Sequence, residues 1–143
     1  MDNPHHVEER AVAFSDSDAA GVVHFTALLR YAEDAEHRFL ARVGVPLILR
    51  ENGDIIGWPR VHAQFDFRAP VRFGEEVTVA LRLTRVGESS LTFRYRVAQL
   101  DTVVAEGEMT AVQACIGPDG PGRSVPLSED LRARLETILR HGS

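Results

Sequence analysis

The sequence predicts an α+β domain in which one antiparallel sheet packs on one long helix. Three observations carry this. From Phe25 the apolar positions Phe25, Leu28, Leu29, Ala32, Ala35, Phe39, Leu40 and Val43 follow the 3.6-residue helical period. After residue 60 the period changes to two, as in strands with one buried face. The later strands are joined by short turns, which make sequence neighbours antiparallel.

Each element follows in order. VEERAVAF, residues 7 to 14, alternates moderately and is the expected first strand. The helix is expected over residues 24 to 43, with Arg30, Glu33, Asp34, His37, Arg38 and Arg42 mostly on its polar side. Gly44 and Pro46 stop it. LILRENGDIIGWP reads as a connection. Val61, Ala63, Phe65, Phe67 and Ala69 then form one face of a half-buried strand, and Pro70 marks a bulge or an edge. Two strands follow in VTVALRLTR and LTFRYRV, and a single long one in TVVAEGEMTAVQACI. GPDGPGRSVP is expected to be a loop, and Ser128 to cap a short helix over EDLRARLETILR. The whole chain, residues 1 to 143, reads as one domain with a mobile N-terminus over residues 1 to 6, so His5 and His6 are expected to be unstructured.

Composition excludes several functions. All 16 basic residues are arginine, so Schiff-base chemistry and a P-loop lysine are ruled out. A net charge of −5 opposes sequence-independent nucleic-acid binding. No apolar run is long enough to span a bilayer. The single cysteine, Cys115, rules out an intrachain disulfide and multi-cysteine zinc sites. The expected compartment is the cytoplasm. Glu33, Glu36 and His37 lack the two-histidine helical spacing of a metal site and read as a solvated helix face.

The chemistry concentrates in FSDSDAAGVVHF, residues 14 to 25. One reading of Asp16 and Asp18 is helix capping. The other is catalytic. Gly21 lets a ligand approach the backbone, Val22 and Val23 shield it from water, and the helix start offers N–H groups to a carbonyl oxygen. Carboxylate and oxyanion donors side by side suit acyl-transfer hydrolysis. His24, beside that centre, is either a packed histidine or a substrate-positioning one. Arg85, Ser89 and Ser90 flank a turn and form either an ordinary charged hairpin or a phosphate contact.

DSDAAGVVHF, the following LRYAE, FDFRAPVRFG, VGESSLTFRYRV and VAEGEMTAV together resemble the hotdog-fold acyl-CoA thioesterases of the 4-hydroxybenzoyl-CoA thioesterase and YbgC-like group. The resemblance implies a curved antiparallel sheet wrapped around the long helix, and a homodimer or homotetramer with sites between subunits. It implies hydrolysis of an acyl-CoA to free acid and coenzyme A, with no cofactor beyond the substrate's own coenzyme. Asp18 matches the catalytic aspartate, as nucleophile or general base, and Phe25 the backbone N–H that polarises the thioester carbonyl. It also places the nucleotide near the Arg85–Ser90 turn, and Gly21 and Val23, by their position in the segment, are expected to line the substrate site. The chain departs from the group at Ala27 and Leu28, where an Asn-Tyr pair is common. An acyl-carrier-protein thioesterase and a non-catalytic acyl-CoA binder remain the alternatives.

Overall fold

In the computed structural model, which describes residues 1–117 and 120–141, the long helix α1 spans Phe25–Arg42. Its buried face carries Ala27, Leu28, Tyr31, Ala32, Ala35, Phe39 and Leu40, in the predicted periodicity. Gly44 adopts φ +82°, a left-handed value that costs glycine little and ends the helix.

The helix packs against an antiparallel sheet of five strands. These are β1 (His6–Ala11), β4 (Arg60–Phe67), β5 (Glu76–Val86), β6 (Ser90–Gln99) and β7 (Thr102–Val112), in the order β1-β5-β6-β7-β4. Val77, Val79, Leu81 and Leu83 of β5 and Leu91, Phe93, Tyr95 and Val97 of β6 alternate inward and meet the helix in one apolar core. Helix α2 (Glu129–His141) adds Leu131 and Leu135 to that core, and its Leu131 N–H donates to Ser128 Oγ at 3.2 Å as the sequence predicts.

The structure departs from the expectations in five places. The connection after α1 is a hairpin, β2 (Leu49–Glu51) and β3 (Asp54–Gly57), turned by Asn52 and Gly53 at positive φ. The expected final strand is broken at Gln113, after which β8 (Ala114–Gly117) leaves for a second sheet of order β2-β3-β8-β9. Strand β9 (Gly120–Ser124) occupies much of the expected loop, of which Pro118 and Asp119 lie outside the described residues. The half-buried face expected on β4 is also largely open, with Val61 62 % and Phe67 46 % exposed. As the edge strand, β4 has one neighbour, and its register shifts between Arg60 and His62.

The fifth departure concerns polar residues. His5 is buried rather than mobile. Its Nδ1 accepts the Leu83 N–H at 3.0 Å, its ring stacks on Phe39, and Arg42 donates to its carbonyl at 2.6 Å. His6 begins β1 and pairs with Glu8. Glu36, expected on a solvated face, is 1 % exposed. Arg60 grips it with two bonds, Nη1 to Oε1 at 2.8 Å and Nη2 to Oε2 at 3.1 Å, and also reaches Glu33 at 3.0 Å. The Tyr95 hydroxyl donates to Glu36 Oε1. Burial and the adjoining Glu36 carboxylate push the Tyr95 hydroxyl well above the ordinary tyrosine range.

Arg60→Ala leaves the Glu36 charge buried without its cation, which should cost about 3–5 kcal/mol of stability in urea unfolding. His5 yields a pH prediction. Burial first, then Arg82 and Arg42, lowers its pKa in the folded state. The unfolded chain therefore takes up the proton first as pH falls, and stability drops from its full value above about pH 6.5 through the lowered folded value. Between pH 8 and 5.5 the wild type should lose more stability than His5→Phe, and equal losses would refute the assignment.

Candidate active site

Between β1 and α1 the chain makes a small clip. A 3-10 turn at Phe14–Asp16 leads into an antiparallel bridge of Ser17 with Val23. The Asp18 N–H donates to the Val22 carbonyl at 2.8 Å, and the Gly21 N–H to the Asp18 carbonyl at 3.0 Å. Gly21 closes the turn at φ +78°. A Cβ there would find ordinary contact with Phe73, so the backbone angle and not space demands glycine. The Asp18 Oδ1 accepts the Ala20 N–H at 2.8 Å and the Val22 N–H at 3.3 Å. These bonds use one carboxylate oxygen and aim the exposed side chain from a fixed base.

The clip's second limb runs straight into α1. His24 is the N-cap, its Nδ1 accepting the Thr26 N–H at 3.3 Å. Neither acid caps the helix, so the capping reading of Asp16 and Asp18 does not hold for α1. Phe25 is the first helical residue, and its N–H belongs to the set that has no acceptor within a helix. A carbonyl oxygen placed there would meet a backbone donor and the positive end of the helix dipole. Asp18 and the Phe25 N–H thus stand on the two limbs of one clip.

The clip is seated by the segment before β5: Val22 bridges Arg72, and the Val23 N–H donates to the Val71 carbonyl at 2.7 Å. Val23 itself is buried in the core, anchoring the clip rather than facing out. Aromatic rings border the face. Phe25 meets Phe67 edge-on at 5.7 Å, Phe14 meets Phe73 at 5.3 Å, and His24 stacks on Phe25. Phe14, Phe25, Phe67 and Phe73 are all exposed. A concavity of about 240 Å³ is lined by Val45, Pro46, Leu49, Gln113 and Leu131 at the other end of α1.

Arg85, Ser89 and Ser90 do not join Asp18 within one chain. Arg85 is exposed near the end of β5, nine residues beyond Glu76, whereas the clip sits beside Arg72 and Phe73 before that strand begins. At 3.3 Å per residue the separation is about 30 Å. The Ser90 carbonyl accepts the Gly87 N–H at 2.8 Å and closes the β5–β6 turn, while the Ser89 carbonyl accepts the Gln113 N–H at 2.6 Å and ties that turn to the end of β7.

The sequence reading missed the support beneath the clip. Asp16 Oδ2 accepts the hydroxyl of Tyr31, a fully buried residue of α1, and its Oδ1 pairs with Arg30. Burial alone would raise the Asp16 pKa. The Tyr31 bond, the Ala13 N–H and Arg30 outweigh it and hold the carboxyl below its usual range. Burial and Asp16 push Tyr31 up to about 12. Tyr31 lies on the buried helical face, three residues after Leu28, though it is absent from the apolar positions read from the sequence; only its hydroxyl signalled a buried partner.

The pattern of the thioesterase-like superfamily matches residues 12–135. A 1,4-dihydroxy-2-naphthoyl-CoA hydrolase from Synechococcus elongatus is 31 % identical over 130 residues, covering 90 % of this chain and 93 % of the relative. Among solved structures, a 1,4-dihydroxy-2-naphthoyl-CoA thioesterase from Synechocystis aligns with a TM-score of 0.74 at 27 % identity, over 95 % of this chain and 96 % of the other. A hypothetical protein from Thermus thermophilus aligns with a TM-score of 0.76 at 31 % identity, over 93 % and 98 %.

Proposed function

The chain belongs to the thioesterase-like superfamily and has the hotdog fold, and on that premise we propose that it hydrolyses an acyl-CoA thioester to the free acid and coenzyme A. The observation that carries the reading is the clip, which holds the Asp18 carboxylate and the Phe25 N–H on adjacent limbs. The thioester oxygen accepts from Phe25, so charge developing on it meets a preorganised donor. Asp18 then acts by one of two routes. As a nucleophile, it adds to the carbonyl carbon and expels the thiolate, and water hydrolyses the resulting anhydride. As a general base, it takes a proton from a water that attacks the same carbon, and the expelled thiolate of coenzyme A takes that proton back from the acid. Either route needs only a carboxylate, a backbone donor and water, so we assign no cofactor besides the substrate's own coenzyme A. His24, stacked on Phe25, lies where it can orient the acyl group.

The acyl group we assign is aromatic. The exposed rings of Phe25, Phe67, Phe14 and Phe73 offer edges and faces to a flat ring, and the Synechococcus relative acts on a naphthoyl thioester. No helix among the described residues is long and apolar enough to cross a membrane. We place the protein in the cytoplasm, a reading supported by its single, buried cysteine.

A second copy of the chain completes the site in this reading. Edge strand β4 presents unpaired backbone and exposed Val61 and Phe67, which a twofold partner would cover. The Val112 N–H donates to the Pro59 carbonyl and Val112 pairs with Ser90, so the Ser89–Ser90 turn lies across β7 from the start of β4, at the same end of the sheet. Phe67, at the strand's other end, touches Phe25. Antiparallel pairing of β4 with its copy carries the Arg85–Ser90 turn of one chain toward the Asp18 face of the other. The phosphates and the thioester would then be held by different chains.

Asp18→Asn keeps the side chain's shape and removes its charge. Turnover of aryl-CoA should fall by at least about 10³-fold while binding of a non-hydrolysable acyl-CoA thioether persists; near-normal turnover would sink the assignment. Mixing inactive Asp18→Asn chains with Arg85→Ala chains of raised KM should restore a population of sites with wild-type KM. Mixtures whose kinetics are the plain average of the two parents would place both residues of a site in one chain.

A further inference from the structure

We infer that Asp16 is a positioning residue: its carboxylate, locked by Tyr31 and Arg30, sets the separation between the Asp18 carboxylate and the Phe25 N–H. This rests on the reading of Asp18 as the reacting acid. The two limbs of the clip diverge from one backbone contact, the His24 N–H donating to the Asp16 carbonyl at 2.8 Å. Asp16 therefore immediately precedes the limb that ends in Asp18, and its backbone partner immediately precedes Phe25. Whatever fixes Asp16 fixes both reacting elements at their common root.

What fixes it comes from the helix interior. The Tyr31 ring is fully buried, its hydroxyl donates to Asp16 Oδ2, and the Ala13 N–H donates to the same oxygen at 3.3 Å. Arg30 pairs with Oδ1 from the solvent side. Tyr31 is clamped in turn by the Arg10 guanidinium, 4.5 Å from its ring centroid, and Arg10 is tied to Asp34 at 2.7 Å. Strand β1, helix α1 and the clip thus meet around Tyr31. Asp16 itself is mostly covered, 9 % of its side chain being exposed, while Asp18 is open. Two acids two residues apart therefore divide the work: the covered one holds geometry, and the open one reacts.

Displacing a reacting group by about 1 Å costs on the order of 100-fold in rate, whereas substrate binding through remote groups is unaffected. Tyr31→Phe, which keeps the buried ring and deletes only the hydroxyl, and Asp16→Asn should each lower kcat about 10- to 100-fold and leave KM within about twofold. Because both changes break the same bond, the double variant should be no slower than the slower single. Amide hydrogen exchange at His24 should quicken in both. Should Asp16→Asn fail to fold, Tyr31→Phe alone decides. A kcat within twofold of wild type in Tyr31→Phe, an equal change in kcat and KM, or fully additive losses would overturn the inference. An Asp18→Asn control separates the two levels: if it turns over normally the site reading itself is wrong, and if it is inactive while Tyr31→Phe is unimpaired only the positioning role fails.

Discussion

The Glu36 carboxylate, buried at the middle of the long helix, is the interaction on which the arrangement of the molecule depends. A lone charge in a core costs several kcal/mol, so Glu36 is tolerable only with its partners in place. Those partners come from two non-adjacent strands, Arg60 on β4 and Tyr95 on β6. Burial by itself would lower the Arg60 pKa, but its bonds to Glu36 more than reverse this and keep the guanidinium charged. The ion pair therefore clamps the edge strand to the helix at one end. At the other, Phe67 reaches the first residue of the helix. A helix sliding along the sheet would break the clamp and move the Phe25 N–H with it.

Close backbone approach reinforces that clamp. A Cβ on Gly107 of β7 would lie 2.0 Å from the Gln64 carbonyl oxygen of β4, so the edge strand sits against a position that only glycine can occupy. The clip is built differently. It is held by backbone bonds across a seven-residue hairpin and by one buried tyrosine hydroxyl beneath it. Core packing fixes where the helix begins; local hydrogen bonding fixes where Asp18 stands relative to it.

The frame of the fold was legible because it rests on periodicity. The bounds of α1, the inward residues of β5 and β6 and the Ser128 cap follow from patterns that one element's own sequence contains. Failures came where a neighbour decides. Val61 and Phe67 look inward by alternation, but an edge position leaves them open. Glu36 and His5 look solvated by residue type, yet Arg60, Tyr95, Leu83 and Phe39 lie far away in the sequence. The β2–β3 hairpin is a different kind of miss, because Asn52-Gly53 is a strong local turn signal that was available. At the site, the sequence marked Asp16, Asp18 and the helix start, but not the bond that Asp16 receives from Tyr31, a partner on the following helix.

The openness of the aromatic face has a consequence for how such a chain can change over generations. Phe14, Phe25 and Phe73 are exposed, so replacing them removes little buried apolar surface. The residues that carry stability, from Tyr31 to Leu135, form a separate set beneath them. Substitution can therefore accumulate at the rim while the fold keeps its margin. Lineages sharing this architecture are free to diverge at this face, where the proposed function seats the acyl group, without passing through unfolded intermediates.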